Sequence, residues 1–185
     1  MILLASQSPR RKQLLGQYIS SSFLTYVPSI DEEASNHLVS PVLIVRDISK
    51  RKLLSIPKEY DEYTSISADT IVVFNDEILG KPKDENDAKE ILRKLSNNTH
   101  EVITAFSIKK GEKIMTHHVV SKVTFNDLSD ELIDAYVASK SPLDKAGAYG
   151  IQDNDKFNIV KSYTGSYTNI VGFPIDEIKE VLNSL

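Results

Sequence analysis

A single carboxylate, Asp69, interrupts the run Ile66-Ser67-Ala68-Asp69-Thr70-Ile71-Val72-Val73, whose other members are apolar, small or β-branched. An unpaired carboxylate buried in such a strand is costly, so Asp69 needs a partner, a structural hydrogen bond at a strand end, or a proton to accept. A second acidic group, Asp31-Glu32-Glu33, is the kind of triplet that normally solvates in a loop. Beside Asp69, one of its carboxylates would suit Mg²⁺, which takes one or two carboxylates and leaves its other positions to phosphate and water. Ser6-Gln7-Ser8-Pro9-Arg10-Arg11 offers the complementary chemistry: unpaired amides at a helix N-terminus and two guanidinium forks. That segment reads as a phosphate cradle or as a well-capped surface helix with solvated arginines. Three lysines have unusual settings. Lys52, within Lys50-Arg51-Lys52, reads as part of an exposed helix face; Gly80-Lys81-Pro82 holds one ammonium at the end of a hairpin; Lys145 precedes Ala146-Gly147. Tyr136, Tyr149, Phe106 and Phe125 read as core, and no phosphate-loop or dinucleotide glycine fingerprint occurs.

The elements that must position these groups alternate. Ile2–Ala5 predicts a strand, Ser8 a cap and Pro9 the first position of a helix whose Leu14 and Leu15 face the core. A strand is predicted from Phe23 to Val27, a helix from Pro41 to about Leu54, and a hairpin of Ser65–Phe74 with Glu77–Leu79 across Asn75-Asp76. Asp84 can cap a helix running to Leu95, with Ala88, Ile91, Leu92 and Leu95 on one face. Glu101–Lys109 and Lys113–Phe125 predict a long antiparallel ribbon, and Ser129 caps a helix to about Ala138. Ser139–Gly150 reads as loop, Phe157–Tyr163 as strand, and Pro174 opens a terminal helix. Strands and helices interleaved in this way predict an α/β fold with a mixed sheet.

Composition narrows the function classes. With 185 residues, 41% hydrophobic and 26% charged, the chain predicts one soluble domain over residues 1–185, or two small lobes sharing a sheet. The longest apolar run, Met1 to Ala5, is far short of the roughly 20 residues needed to span a bilayer. A cytoplasmic protein is therefore expected, with no membrane partner. The absence of cysteine excludes disulfides and thiolate chemistry, and the four histidines have no zinc-ligand spacing. Any metal is expected to be a hard ion on carboxylates. A net charge of −4 argues against a nucleic-acid partner.

Taken jointly, several segments resemble the Maf family of nucleoside triphosphate pyrophosphatases. They are Leu4-Ala5-Ser6-Gln7-Ser8-Pro9-Arg10-Arg11, Asp31-Glu32, Lys52, Ala68-Asp69-Thr70, Leu79-Gly80-Lys81-Pro82, the stretch from Lys145 to Gln152, and Gly172-Phe173-Pro174. The resemblance implies the Maf/ITPase-like architecture: an elongated mixed sheet with flanking helices and two lobes around a central cleft. It implies a divalent cation, Mg²⁺ or Mn²⁺, as cofactor, and hydrolysis of a nucleotide to its monophosphate and pyrophosphate. Family members often form homodimers. Asp69 matches the family's catalytic base and Glu32 a second carboxylate that assists with metal or water. Ser6, Arg11, Lys52 and Lys81 match positions that hold the triphosphate. Arg10, Thr70 and Gln152 match the positions that separate substrate branches, and Arg, Thr and Gln there resemble the dTTP/UTP branch, where the 7-methyl-GTP branch has Trp, Gln and Glu. Two departures are Asn97, where the family usually has glycine, and Leu53, where it has alanine; Asn tolerates left-handed geometry. The family's link to septum formation carries an alternative, a nucleotide-binding regulator of cell division acting through a protein partner.

Overall fold

Side-chain caps and β-branched runs divide the chain into seven strands and seven helices in the computed structural model, which describes residues 1–185. In order these are β1 (Ile2–Ala5), α1 (Pro9–Tyr18), β2 (Phe23–Tyr26), α2 (Pro41–Leu54), β3 (Thr64–Phe74), β4 (Glu77–Leu79) and α3 (Glu85–Leu95). They continue as β5 (Thr99–Lys110), β6 (Lys113–Phe125), α4 (Asp130–Ala138), α5 (Asn154–Phe157), β7 (Val160–Thr164), α6 (Tyr167–Val171) and α7 (Ile175–Ser184). Ser8, Asp84 and Ser129 cap α1, α3 and α4 by accepting from Arg11 N, Asp87 N and Leu132 N. The strands form one mixed sheet in the order β2-β1-β3-β5-β6-β7, with β4 paired to β3. β1 runs parallel to both β2 and β3, whereas β3–β4 and β6–β7 are antiparallel. Gly111 and Glu112 alone join the neighbours β5 and β6, a connection only antiparallel strands can make.

The chain divides into two compact units, and β3, β5 and β6 each contribute to both. The first comprises Met1–Thr70, Thr104–Val119 and Tyr167–Leu185. Its apolar core gathers Leu4, Leu15, Ile66, Phe106, Phe173 and Ile178. Alternation along β3 sends Ile66 and Ala68 into this core and turns Ser67 to the other face, where its hydroxyl donates to Ser49 O of α2. Asp69, two residues on, shares that α2-facing side. The second unit comprises Ile71–Ile103 and Val120–Ser166. There α3 buries Ala88, Ile91, Leu92 and Leu95, the stripe its sequence predicts.

The predicted elements hold with local exceptions. The strand read from Phe157 begins only at Val160, because Asn154–Phe157 forms a helical turn that ends at Asn158 with φ 50°. The Asn154 side chain then accepts from Val160 N at 2.6 Å and donates to Val160 O at 3.1 Å, fixing where β7 starts. The stretch read as loop from Ser139 contains three-ten turns at Ser141–Asp144 and Ala146–Ala148. Asn97 adopts φ 55°, the left-handed geometry that asparagine tolerates.

Candidate active site

The first unit answers what partner Asp69 has. Lys52 Nζ donates to Asp69 Oδ1 at 2.6 Å and lies 2.7 Å from Glu32 Oε1. Lys52 is therefore no part of a solvated helix face: its side chain is only 14% exposed, because α2 turns this position toward β3, while Lys50 is exposed and Arg51 reaches the Asp31 and Ser35 oxygens. Asp69 itself is buried. Burial raises its carboxyl above the ordinary carboxylate range, opposed by the Lys52 and Arg11 cations. The three-ten turn Glu32–Ser35 presents Glu32, and α2 fixes that turn from below: Arg51 donates to Asp31 O and to Ser35 Oγ, and Asp47 accepts from Ser35 Oγ at 2.7 Å.

Arg11 departs from both readings of its segment, since it is neither solvated nor displayed. Its Nε donates to Gly172 O at 2.8 Å, Nη1 to Ala68 O at 2.8 Å and Nη2 to Thr70 Oγ1 at 3.0 Å. β1 ends at Ala5, paired with Ser67, so the guanidinium serves the Ala68 carbonyl where the parallel strand stops. Thr70 Oγ1 also lies 2.9 Å from Thr104 Oγ1, and Thr104 donates to Asn169 O at 3.1 Å. Thr70 thus faces Arg11 and Thr104 on the side of β3 opposite Asp69, as alternation requires. Ser6 is buried, and its hydroxyl accepts from Ser8 N at 3.1 Å and from Arg11 Nη1 at 3.5 Å. Arg10 is half-buried on the first turn of α1. Thr104 and the Gly172 carbonyl are members of this cluster that residue types alone do not disclose; the only sequence signal is a threonine between apolar residues in β5.

Lys81 and Gln152 belong to the second unit. Both are exposed, and neither makes a hydrogen bond or ion pair within the protein. Gly80 O accepts from Gly147 N at 3.0 Å, tying the residue before Lys81 to the loop that leads to Gln152. A Cβ on Gly147 would lie 2.7 Å from a Val72 methyl, and its φ of +68° suits glycine, so the loop packs on β3 only because no side chain intervenes.

The donors available to a divalent cation are few. No group of three or more His, Asp or Glu side chains is gathered anywhere in the chain. Glu32 and Asp69, however, already flank one cation, the Lys52 ammonium, which stands where two hard carboxylate oxygens converge. Two carboxylates fit Mg²⁺ or Mn²⁺ when phosphate oxygens and water complete the shell.

A family model described as Maf-like protein matches residues 1–185. Among curated relatives, the dTTP/UTP pyrophosphatase of Dictyoglomus turgidum is 44% identical over 184 residues, covering 98% of this chain and 94% of that protein. The dTTP/UTP pyrophosphatase of Aquifex aeolicus is 41% identical over 184 residues, covering 100% of this chain and 95% of that protein. A Bacillus cereus protein of the same name is 43% identical over 174 residues, with 94% and 90% covered.

Proposed function

Because the chain belongs to the Maf family, we propose that it is a nucleoside triphosphate pyrophosphatase that hydrolyses dTTP and UTP to the monophosphate and pyrophosphate. The observation that carries this reading is the buried Asp69 sharing one lysine with Glu32. Asp69 accepts a proton from water as the water oxygen forms its bond to the α-phosphorus. The bond from that phosphorus to the bridging oxygen breaks, and pyrophosphate leaves with the electron pair. Lys52, which already bridges the two carboxylates, holds Asp69 in place and offers positive charge to the phosphates. Glu32 and Asp69 would hold the divalent cation, which would supply charge neutralisation of the phosphates when bound. Lys81, unengaged by the protein, binds the triphosphate, and Gln152 reads the base. Its amide offers one donor and one acceptor edge, matching the carbonyl and N–H shared by uracil and thymine.

Arg11 has at most a spare N–H for a phosphate, so its main role is positioning: it fixes the Ala68 carbonyl one residue before the base. The same reading places the enzyme in the cytoplasmic nucleotide pool. No helix is long and apolar enough to cross a membrane. The test is a panel of nucleoside triphosphates with Mg²⁺, assayed for pyrophosphate. Release from dTTP and UTP is expected; orthophosphate in its place, or no turnover of any nucleotide, overturns the proposal.

A further inference from the structure

The second unit anchors Gly150 and Asp153, on either side of Gln152, while leaving Gln152 itself unbonded. Gly150 N donates to the Tyr136 hydroxyl at 3.0 Å, and that hydroxyl donates to Asp153 Oδ2 at 2.7 Å. Ser141 Oγ donates to the same carboxylate oxygen at 2.6 Å. Lys145 Nζ in turn donates to Ser141 Oγ at 3.1 Å, to Asp144 Oδ1 at 2.9 Å and to Ser141 O, which uses all three of its protons. Every proton in this chain of bonds has one place to go, so the network has one arrangement. Burial and the Asp153 contact both raise the Tyr136 phenol, which keeps the proton it donates.

Gly150 is the gap in the middle. A Cβ there would lie 2.9 Å from Lys145 Cε and 3.0 Å from Gln152 Cδ and Nε2. Its backbone is not in the left-handed region, so what its missing side chain supplies is room. Lys145 cannot yield, because its ammonium is held three ways; the exposed Gln152 amide can.

We propose that Gly150 is a specificity-determining residue for the pyrimidine base, its empty Cβ position seating the Gln152 amide against the Lys145 arm, with Tyr136 and Asp153 as positioning residues that hold both flanks. This rests on Gln152 reading the base. The ligand chemistry is a ring edge with a carbonyl acceptor beside an N–H donor, as in uracil and thymine.

The experiment compares wild type with Gly150→Ala, Tyr136→Phe and Gln152→Ala by KM and kcat for dTTP and UTP. Inorganic triphosphate, a probe with no base, is used as a competitive inhibitor, and thermal unfolding checks the fold. Gly150→Ala is expected to raise KM for both nucleotides about 10-fold, more than it lowers kcat, as for a lost hydrogen-bonded contact. It leaves the inhibition constant of inorganic triphosphate near wild type, while the overlap with the Lys145 arm lowers the unfolding midpoint without unfolding the variant. Tyr136→Phe acts in the same direction by roughly 3-fold, from the same loss made indirect. Unchanged KM in Gly150→Ala and Tyr136→Phe, beside a raised KM in Gln152→Ala, overturns the seating role and leaves base reading by Gln152 standing. Unchanged KM in Gln152→Ala overturns both. Equal rises in nucleotide KM and in the triphosphate inhibition constant also overturn the proposal, since the network then supports the phosphate site or the fold.

Discussion

The two units bury their polar groups in opposite ways. In the first, Lys52 lies between two carboxylates, one buried and one half-exposed, so charge is met by charge. In the second, Lys145 spends two of its three donors on neutral oxygens of Ser141, and His100 is met by the Tyr149 hydroxyl at 2.7 Å and by the edges of aromatic rings. A cation held by carboxylates can share them with a metal and offer its own charge to a phosphate. A cation with every proton committed to loop oxygens can only hold the loop. The difference separates a region suited to chemistry from one suited to fixing a shape.

The largest effect should come from the carboxylate that the charged region is built around. Asp69→Asn keeps the shape but cannot take a proton from water, and turnover should fall by about 10² to 10⁴-fold, the contribution of a positioned general base. Pyrophosphate release measured beside circular dichroism checks it. Near wild-type turnover in a folded variant would remove Asp69 from the chemistry and reduce the first unit's ion cluster to a structural feature.

The paired lysines sharpen the comparison in stability. Lys52→Met strands the buried Asp69 carboxylate, a loss of about 3–5 kcal/mol when one member of a buried pair is removed. Lys145→Met takes donors only from Ser141 and from the largely exposed Asp144, whose side chain is 59% accessible; the cost should be about 1–3 kcal/mol. Urea unfolding of both variants gives the ranking, and a larger loss for Lys145→Met would contradict the contrast between the units.

How far the sequence discloses these regions follows the same division. Asp69 stands out because one carboxylate in an apolar strand is a local anomaly that needs no partner to be noticed. Its partner does not stand out: Lys52 lies in a run of three basic residues, and only the orientation of α2 against β3 decides which of them turns inward. Arg11 misleads for a related reason. A helix N-terminus with two arginines is a local anion signature, whereas Arg11 is engaged within the protein by the Thr70 hydroxyl and by two backbone carbonyls, Ala68 O and Gly172 O, that no residue type reveals. Tyr136 reads as core and is core, at 1% exposure, yet its hydroxyl holds Gly150 and Asp153. Strands, caps and the α3 stripe depend on neighbours three or four residues apart and were legible. The β7 start depends on the Asn154 side chain and was not.

His100 tests the neutral region by pH. Burial lowers its pKa from 6.5 to about 4, so between those values the unfolded chain binds a proton that the folded one refuses. Stability is full above pH 6.5 and falls as pH drops toward 4, by an amount on the order of 3 kcal/mol. His100→Gln cannot titrate. The difference in unfolding free energy between wild type and variant should therefore shrink from pH 7 to pH 4.5, with the contribution of carboxylates common to both cancelling. Parallel curves would show that the folded protein takes up the His100 proton as readily as the unfolded chain does, so that the second unit admits a charge at His100 as well as at Lys145.

Glu32 should give the smallest effect, because its side chain is 55% exposed and solvent shares its charge. The turn that carries it does not depend on its carboxylate: Asp31 Oδ1 caps Glu33 N at 3.0 Å, and Arg51 holds the Asp31 and Ser35 oxygens. Glu32→Gln therefore leaves the turn in place and removes only charge. If the carboxylate shares a divalent cation with Asp69, losing it should raise the Mg²⁺ concentration for half-maximal turnover by roughly 3- to 10-fold, while the rate at saturating Mg²⁺ falls less than in Asp69→Asn. A magnesium titration at fixed dTTP separates the two quantities. A lowered rate with an unshifted titration would leave Glu32 as a partner of Lys52 alone, and the first unit would then hold its metal, like its proton, on Asp69.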